Sequence, residues 1–111
     1  MLKAINSDSE NIIKQTMELI RNLNLKKTSA IAFKLKSDEN DDINLLIVSE
    51  DFSTNMEKRQ NHVFSKSVDF PNIEVIAWTY DEYKKKSKRI EEFLNKLKKY
   101  GLVVKDDYKI F

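Results

Sequence analysis

The chain has 111 residues, 41% hydrophobic and 34% charged, with 20 bases against 18 acids and a net charge of +2. That length supports one core and a single domain over residues 1–111; the composition is too apolar for a disordered chain, and the near balance of charge gives no general case for nucleic acid. The absence of cysteine excludes a disulfide framework and thiol chemistry, a lone glycine and a lone proline exclude a glycine-rich phosphate loop, and no stretch approaches the ~20 apolar residues of a membrane span.

The N-terminal MLKAINSDSE has no apolar segment of the kind that marks a secretory leader, so a cytoplasmic location is expected. Charge is unevenly spread: residues 38–51 hold six acids and no base, and residues 84–99 hold eight bases and two acids.

In chain order, Ser7 with Glu10 makes a capping box, and Ile12, Ile13, Thr16, Met17, Leu19, Ile20 and Leu23 recur at helical spacing. This predicts a helix from about Asp8 to Asn24. Residues 28–36 alternate, with Ile31, Phe33 and Leu35 facing one way and Ala30, Ala32 and Lys34 the other, as in a strand. Ser37 to Asp41 is turn material. Residues 42–49 form a second strand whose Leu45-Leu46-Ile47-Val48 centre is apolar on both faces, as a central strand covered on both sides requires. The short connection implies an antiparallel hairpin.

Ser53 or Thr54, the latter with Glu57 three residues on, caps a second helix to about Ser67, with Met56, Gln60, Val63, Phe64 and Ser67 on one thinly apolar face. Phe70-Pro71-Asn72 breaks the chain before a third strand from Ile73 to Trp78, in which Glu74, Ile76 and Trp78 share a face. Thr79 and Glu82 form another capping box. The helical sequence that follows breaks near Lys86 or Ser87 and runs to Tyr100, with Gly101 as its C-cap. Leu102 to Val104 is a short strand, and Asp106 to Phe111 is expected to extend along the sheet edge. The class is α+β: a small mixed sheet flanked by helices, in the order α-β-β-α-β-α-β.

Asp42 and Asn44 stand two apart at the start of the second strand, so their side chains are expected to point to one place. Two acids there would make a site for a hard cation; the second position is an amide. Glu74 lies at the start of the third strand. His62 is the sole histidine, without a partnering motif, and reads as a helix-face residue. Lys84, Lys85, Lys86, Lys88 and Arg89, flanked by Tyr80 and Tyr83, have the composition of a phosphate or nucleic-acid contact, though such runs commonly form only a solvated helix face. Trp78, Phe33 and Phe93 are assigned to the core.

The order of these elements, with DDINLLIVSEDF (41–52), IEVIAWTYDEY (73–83) and KKYGLVVKD (98–106), resembles the minimal nucleotidyltransferases of the polymerase-β-like superfamily. The resemblance implies an acid-x-acid strand and a third acid on a neighbouring strand that hold Mg²⁺, and a Gly-Ser pair that holds the triphosphate. By position, Asp42 matches the first acid, Asn44 the second and Glu74 the third, while the Gly-Ser positions fall at about Lys34 and Leu35. An amide at the second position removes a full charge from the metal site, and without glycine a Cβ keeps backbone N–H groups away from a phosphate.

The resemblance therefore implies a degenerate member in which Asp42 and Glu74 bind Mg²⁺ only if the site is active. It also implies a protein-binding, antitoxin-like role, because catalytic members of the family pair with helical HEPN-type toxins. The alternatives are a Mg²⁺-dependent nucleotidyltransferase with an altered metal site and a nucleic-acid-binding accessory protein. An edge strand at residues 102–110 also offers pairing with a second copy as a homodimer.

Overall fold

Six consecutive buried residues make β3 (Ile43–Val48) a strand that must be covered on both faces and paired along both edges. Its partners are β2 (Ser29–Leu35), antiparallel through the expected hairpin, and β4 (Ile73–Trp78), parallel. Parallel pairing needs a crossover, which α2 (Met56–Ser67) supplies. The computed structural model describes Leu2, Lys3, Ile5, residues 9–35 and residues 42–111.

Two short strands share the other edge of β2, both antiparallel to it. β1 (Leu2–Lys3) lies against Lys34 and Leu35, and β5 (Leu102–Asp106) lies against Ser29–Ala32 with a register shift between Ala30 and Ile31. Among the described residues the result is a five-stranded mixed sheet, with α1 (Ser9–Asn22) and α2 on one face and α3 (Tyr80–Ser87) and α4 (Glu91–Tyr100) on the other.

The alternation read from the sequence is the one the sheet uses. Ala30, Ala32, Leu45 and Ile47 pack with Leu19, Ile20 and Leu23 of α1 and its end. Ile31, Phe33, Leu46 and Val48 pack with Tyr83, Leu94 and Leu97. Thr79 and Glu82 form the capping box of α3 in both directions, and the expected helix break falls between Ser87 and Glu91, where Arg89 and Ile90 both donate to the Lys86 carbonyl.

Several details differ from expectation. β1 was not foreseen, since two residues carry no period. The segment after Asp106 is a turn rather than a strand, because the Asp106 carboxylate accepts the N–H groups of Ile110 and Phe111 and the hydroxyl of Ser29. The cap of α2 is Asn55, whose side chain accepts from Lys58 N–H, in place of Ser53 or Thr54. Its inward residues are Arg59 and Val63, while Met56 is 53% and Phe64 72% exposed. Of the aromatic residues assigned to the core, Phe33 is buried, Trp78 is partly buried, and Phe93 is exposed with its ring edge-on to Phe33 at 6.0 Å. Ser7 of the first capping box and the turn at 37–41 lie outside the described residues.

Gly101 is the C-cap of α4, but not by a left-handed turn: its φ is −81°. A Cβ there would stand 2.6 Å from the Leu97 carbonyl oxygen and 2.8 Å from Ile31 Cδ1, so glycine is required by close approach of the helix end to β2. Gly101→Ala is accordingly expected to lower unfolding free energy by about 1–3 kcal/mol, read as a shift of the urea midpoint at unchanged slope.

Candidate functional site

The parallel register sets Asn44 beside Glu74 on adjacent strands, and the hairpin register sets Asn44 opposite Phe33. The bond from Ile43 N–H to the Asn72 carbonyl, 2.8 Å, carries the ladder to the first residue of β3, so Asp42 stands at the same end of the sheet. The fold thus gathers the three positions singled out in the sequence at the start of the β3–β4 pair. They differ in environment: Glu74 is exposed, Asp42 half-buried and Asn44 only 5% exposed.

Among the described residues, Asn44 Nδ2 is buried without a hydrogen-bond partner. An unpaired buried donor of this kind costs roughly 1–3 kcal/mol, a deficit that an acceptor brought against it would remove. Asn44 and Glu74 also line a cavity of about 380 Å³ that continues over the outer side of β4 to Phe64 of α2. Among the described residues no three His, Cys, Asp or Glu side chains are grouped closely enough to hold a metal ion.

At the opposite end of the parallel pair lies a polar network that sequence reading missed. Arg59, 2% exposed, donates through Nε to the Ser53 carbonyl at 2.9 Å, through Nη1 to the Ala77 carbonyl at 3.1 Å, and through Nη1 and Nη2 to the two Glu82 carboxylate oxygens at 2.8 and 3.2 Å. Glu82 Oε1 also accepts Thr79 N–H, so one carboxylate serves both the helix cap and the buried guanidinium. Burial alone would raise the Glu82 carboxyl pKa; the bonds from Arg59 and Thr79 outweigh it and hold the group below its usual range. The only signal in the sequence was an arginine one turn before Val63 on a thin apolar face, which nothing local marks as inward.

The same end is fastened by carboxylates on backbone. Asp51 Oδ2 accepts the N–H groups of Lys26 and Lys27, and Asp107 accepts Thr28 N–H; these bonds, Lys27 first for Asp51 and Thr28 for Asp107, hold both carboxyls below the ordinary value. The Tyr108 hydroxyl accepts Glu50 N–H, and its ring stacks on Tyr80 at 4.3 Å.

This arrangement changes the view of the basic segment. Tyr83 is buried in the core, and Tyr80 is covered by Tyr108 with the Lys84 ammonium 4.9 Å from its ring centre. Lys84 also lies 3.5 Å from Asp81, and Lys86 sits over Trp78 at 5.5 Å. Lys85, Lys88 and Arg89 are exposed. His62 is exposed, with Nε2 3.0 Å from the Leu23 carbonyl, and tethers α2 to the end of α1.

Comparison with protein-family models, with curated proteins and with solved structures finds no match to this chain.

Arg59→Ala is expected to destabilise the fold by roughly 2–3 kcal/mol in denaturant titration, short of the ~3–5 kcal/mol of a fully buried pair because Glu82 keeps part of its hydration. The depressed carboxyls of Glu82, Asp51 and Asp107 bind fewer protons in the folded chain than in the unfolded one. Their stabilisation is therefore complete above the unfolded carboxyl value of about 4 and is lost as pH falls through the lower folded values. Thermal melts between pH 6 and about pH 2 should fall steeply in the acid limb, and Glu82→Gln should flatten part of that fall.

Proposed function

We propose that this chain is a nucleotidyltransferase-like scaffold that does not perform ordinary nucleotidyl transfer and acts by binding a protein, with a helical HEPN-type protein, in an antitoxin-like pairing, as the first partner class. The observation that carries this reading is Asn44. The position where two-metal phosphoryl transfer needs a shared carboxylate holds a buried neutral amide with an unpaired donor, beside Glu74. An amide offers one uncharged oxygen and cannot draw two hard cations together, so neither attacking nor leaving oxygen is placed.

A second feature supports the loss: Lys34 and Leu35, where the family's Gly-Ser pair would fall, are strand residues of β2 paired to β1, with no glycine to let a phosphate approach the backbone. Binding is supported by exposed large apolar side chains on α4 and β5, Phe93, Tyr100 and Val103.

The test combines ligand and partner. Millimolar Mg²⁺ with a nucleoside triphosphate should leave the melting temperature of the parent chain unchanged. Asn44→Asp, which buries a carboxylate beside Glu74, should melt lower than the parent in EDTA and recover with Mg²⁺. Co-expression with a HEPN-type protein encoded beside this chain should give a complex that survives gel filtration. A Mg²⁺-dependent rise in the parent's melting temperature with triphosphate would restore the enzyme reading in place of this one.

A further inference from the structure

The free edge of β4 carries its own pairing instructions. Among the described residues, β4 is bonded to β3 on one side only. The bonds from Ile43 N–H to the Asn72 carbonyl and from Ser49 N–H to the Trp78 carbonyl fix the phase of that ladder: in β4 the even-numbered residues turn their backbone groups toward β3, and Ile73, Val75 and Ala77 turn theirs outward. Two of these six outward groups are already used. Ile73 N–H donates to the Phe70 carbonyl at 3.0 Å, and the Ala77 carbonyl accepts Arg59 Nη1 at 3.1 Å. What remains is two donors, the N–H groups of Val75 and Ala77, and two acceptors, the carbonyls of Ile73 and Val75.

That pattern is complementary to itself. When a second β4 runs antiparallel with Val75 opposite Val75, each Val75 N–H meets the other Val75 carbonyl, and each Ala77 N–H meets the other Ile73 carbonyl. All four remaining groups of each copy are satisfied. The groups already used, Ile73 N–H and the Ala77 carbonyl, are the ones that would otherwise face each other. In this register Glu74 stands opposite Ile76 of the other copy, so the two acids are not opposed, and Ile76, 37% exposed, is covered.

The side chains around the edge agree. α2 and its C-cap turn Met56, Phe64 and Val68, which are 53%, 72% and 61% exposed, away from the core. Cavities of about 380 and 240 Å³ lie between α2 and β4, and both are lined by Val63, Val75 and Ile76. A twofold axis normal to the sheet puts the second α2 on the same face, where the two uncharged stripes meet over the seam. Sheet edges left open are ordinarily blunted by a bulge, a proline or lysines. β4 has no bulge, proline or lysine and a single charge, Glu74, whereas β5 has a register shift and the Lys105–Asp107 pair.

We propose that β4 is a dimerisation edge: two copies of this chain pair antiparallel about Val75 to make one continuous sheet, with their α2 helices packed across the join. The proposal goes beyond the reading of Asn44 and does not depend on it, and neither measurement below involves a nucleotide, a metal or a HEPN-type protein.

The full chain is examined by sedimentation equilibrium and by thiol cross-linking. The parent should be a dimer, and Phe64→Lys, at an exposed position, should weaken it at least tenfold with an unchanged circular dichroism spectrum. Because the chain has no cysteine, Val75→Cys should be joined to its own copy by a short bifunctional thiol reagent, and Val103→Cys on β5 should not. A parent that stays monomeric at its solubility limit overturns the proposal, including the case in which a different protein takes the β4 edge. So does a dimer that is indifferent to Phe64→Lys and cross-links through Val103→Cys.

Discussion

The buried guanidinium of Arg59 is the constraint on which the arrangement of this molecule turns. A charge taken from water must find its hydrogen bonds inside, and Arg59 finds them on three separate pieces of chain: the loop after β3 at Ser53, the last turn of β4 at Ala77, and the first turn of α3 at Glu82. Those bonds fix how far α2 is rotated about its axis. With Arg59 and Val63 turned inward, Phe64 lies about a quarter turn away and out of the core. An apolar stripe is left beside the outer edge of β4 because a charged side chain occupies the inward position.

The two ends of the β3–β4 pair consequently differ in kind. At the end where these parallel strands finish, donors and acceptors are saturated: Glu82 serves a cap and an ion pair, Asp51 closes two backbone N–H groups, and Tyr108 is both stacked and bonded. This end holds the fold together. At the end where they begin, Asn44 has a donor with no partner among the described residues and Glu74 faces solvent. Stability and unspent binding capacity are thus placed on opposite rims of one sheet, and Asp42, Asn44 and Glu74 lie on the rim that the Arg59 network does not brace.

Edge chemistry follows the same logic. Arg59 reaches through to the Ala77 carbonyl and so edits the hydrogen bonds that β4 presents outward, while the Phe70 carbonyl edits them at the other end. A six-residue edge that would accept many partners is reduced to a short pattern of two donors and two acceptors centred on Val75. The side chain that sets the rotation of α2 also sets the register that the edge prefers.

Much of this was legible in the residues. The alternation within 29–35 and 73–78 and the doubly apolar run in 45–48 determined the strands and the faces of their side chains, because a strand's period is two whatever it pairs with. The capping box at Thr79 and Glu82 is local and could be read locally, and the helix break was legible to within a few residues, expected near Lys86 or Ser87 and found at 88–90. The sequence also determined that position 44 is an amide. Only the tertiary structure decided that the amide is buried and unpaired, since that depends on Phe33 and Glu74 in two other strands. It alone decided the orientation of α2, because Arg59 is held inward by Ala77 and Glu82, 18 and 23 residues later. It alone gave the reason for Gly101, whose missing Cβ makes room for Ile31 from across the chain. Periods and caps arise from neighbours in sequence; burial, charge pairing and free edges arise from neighbours in space.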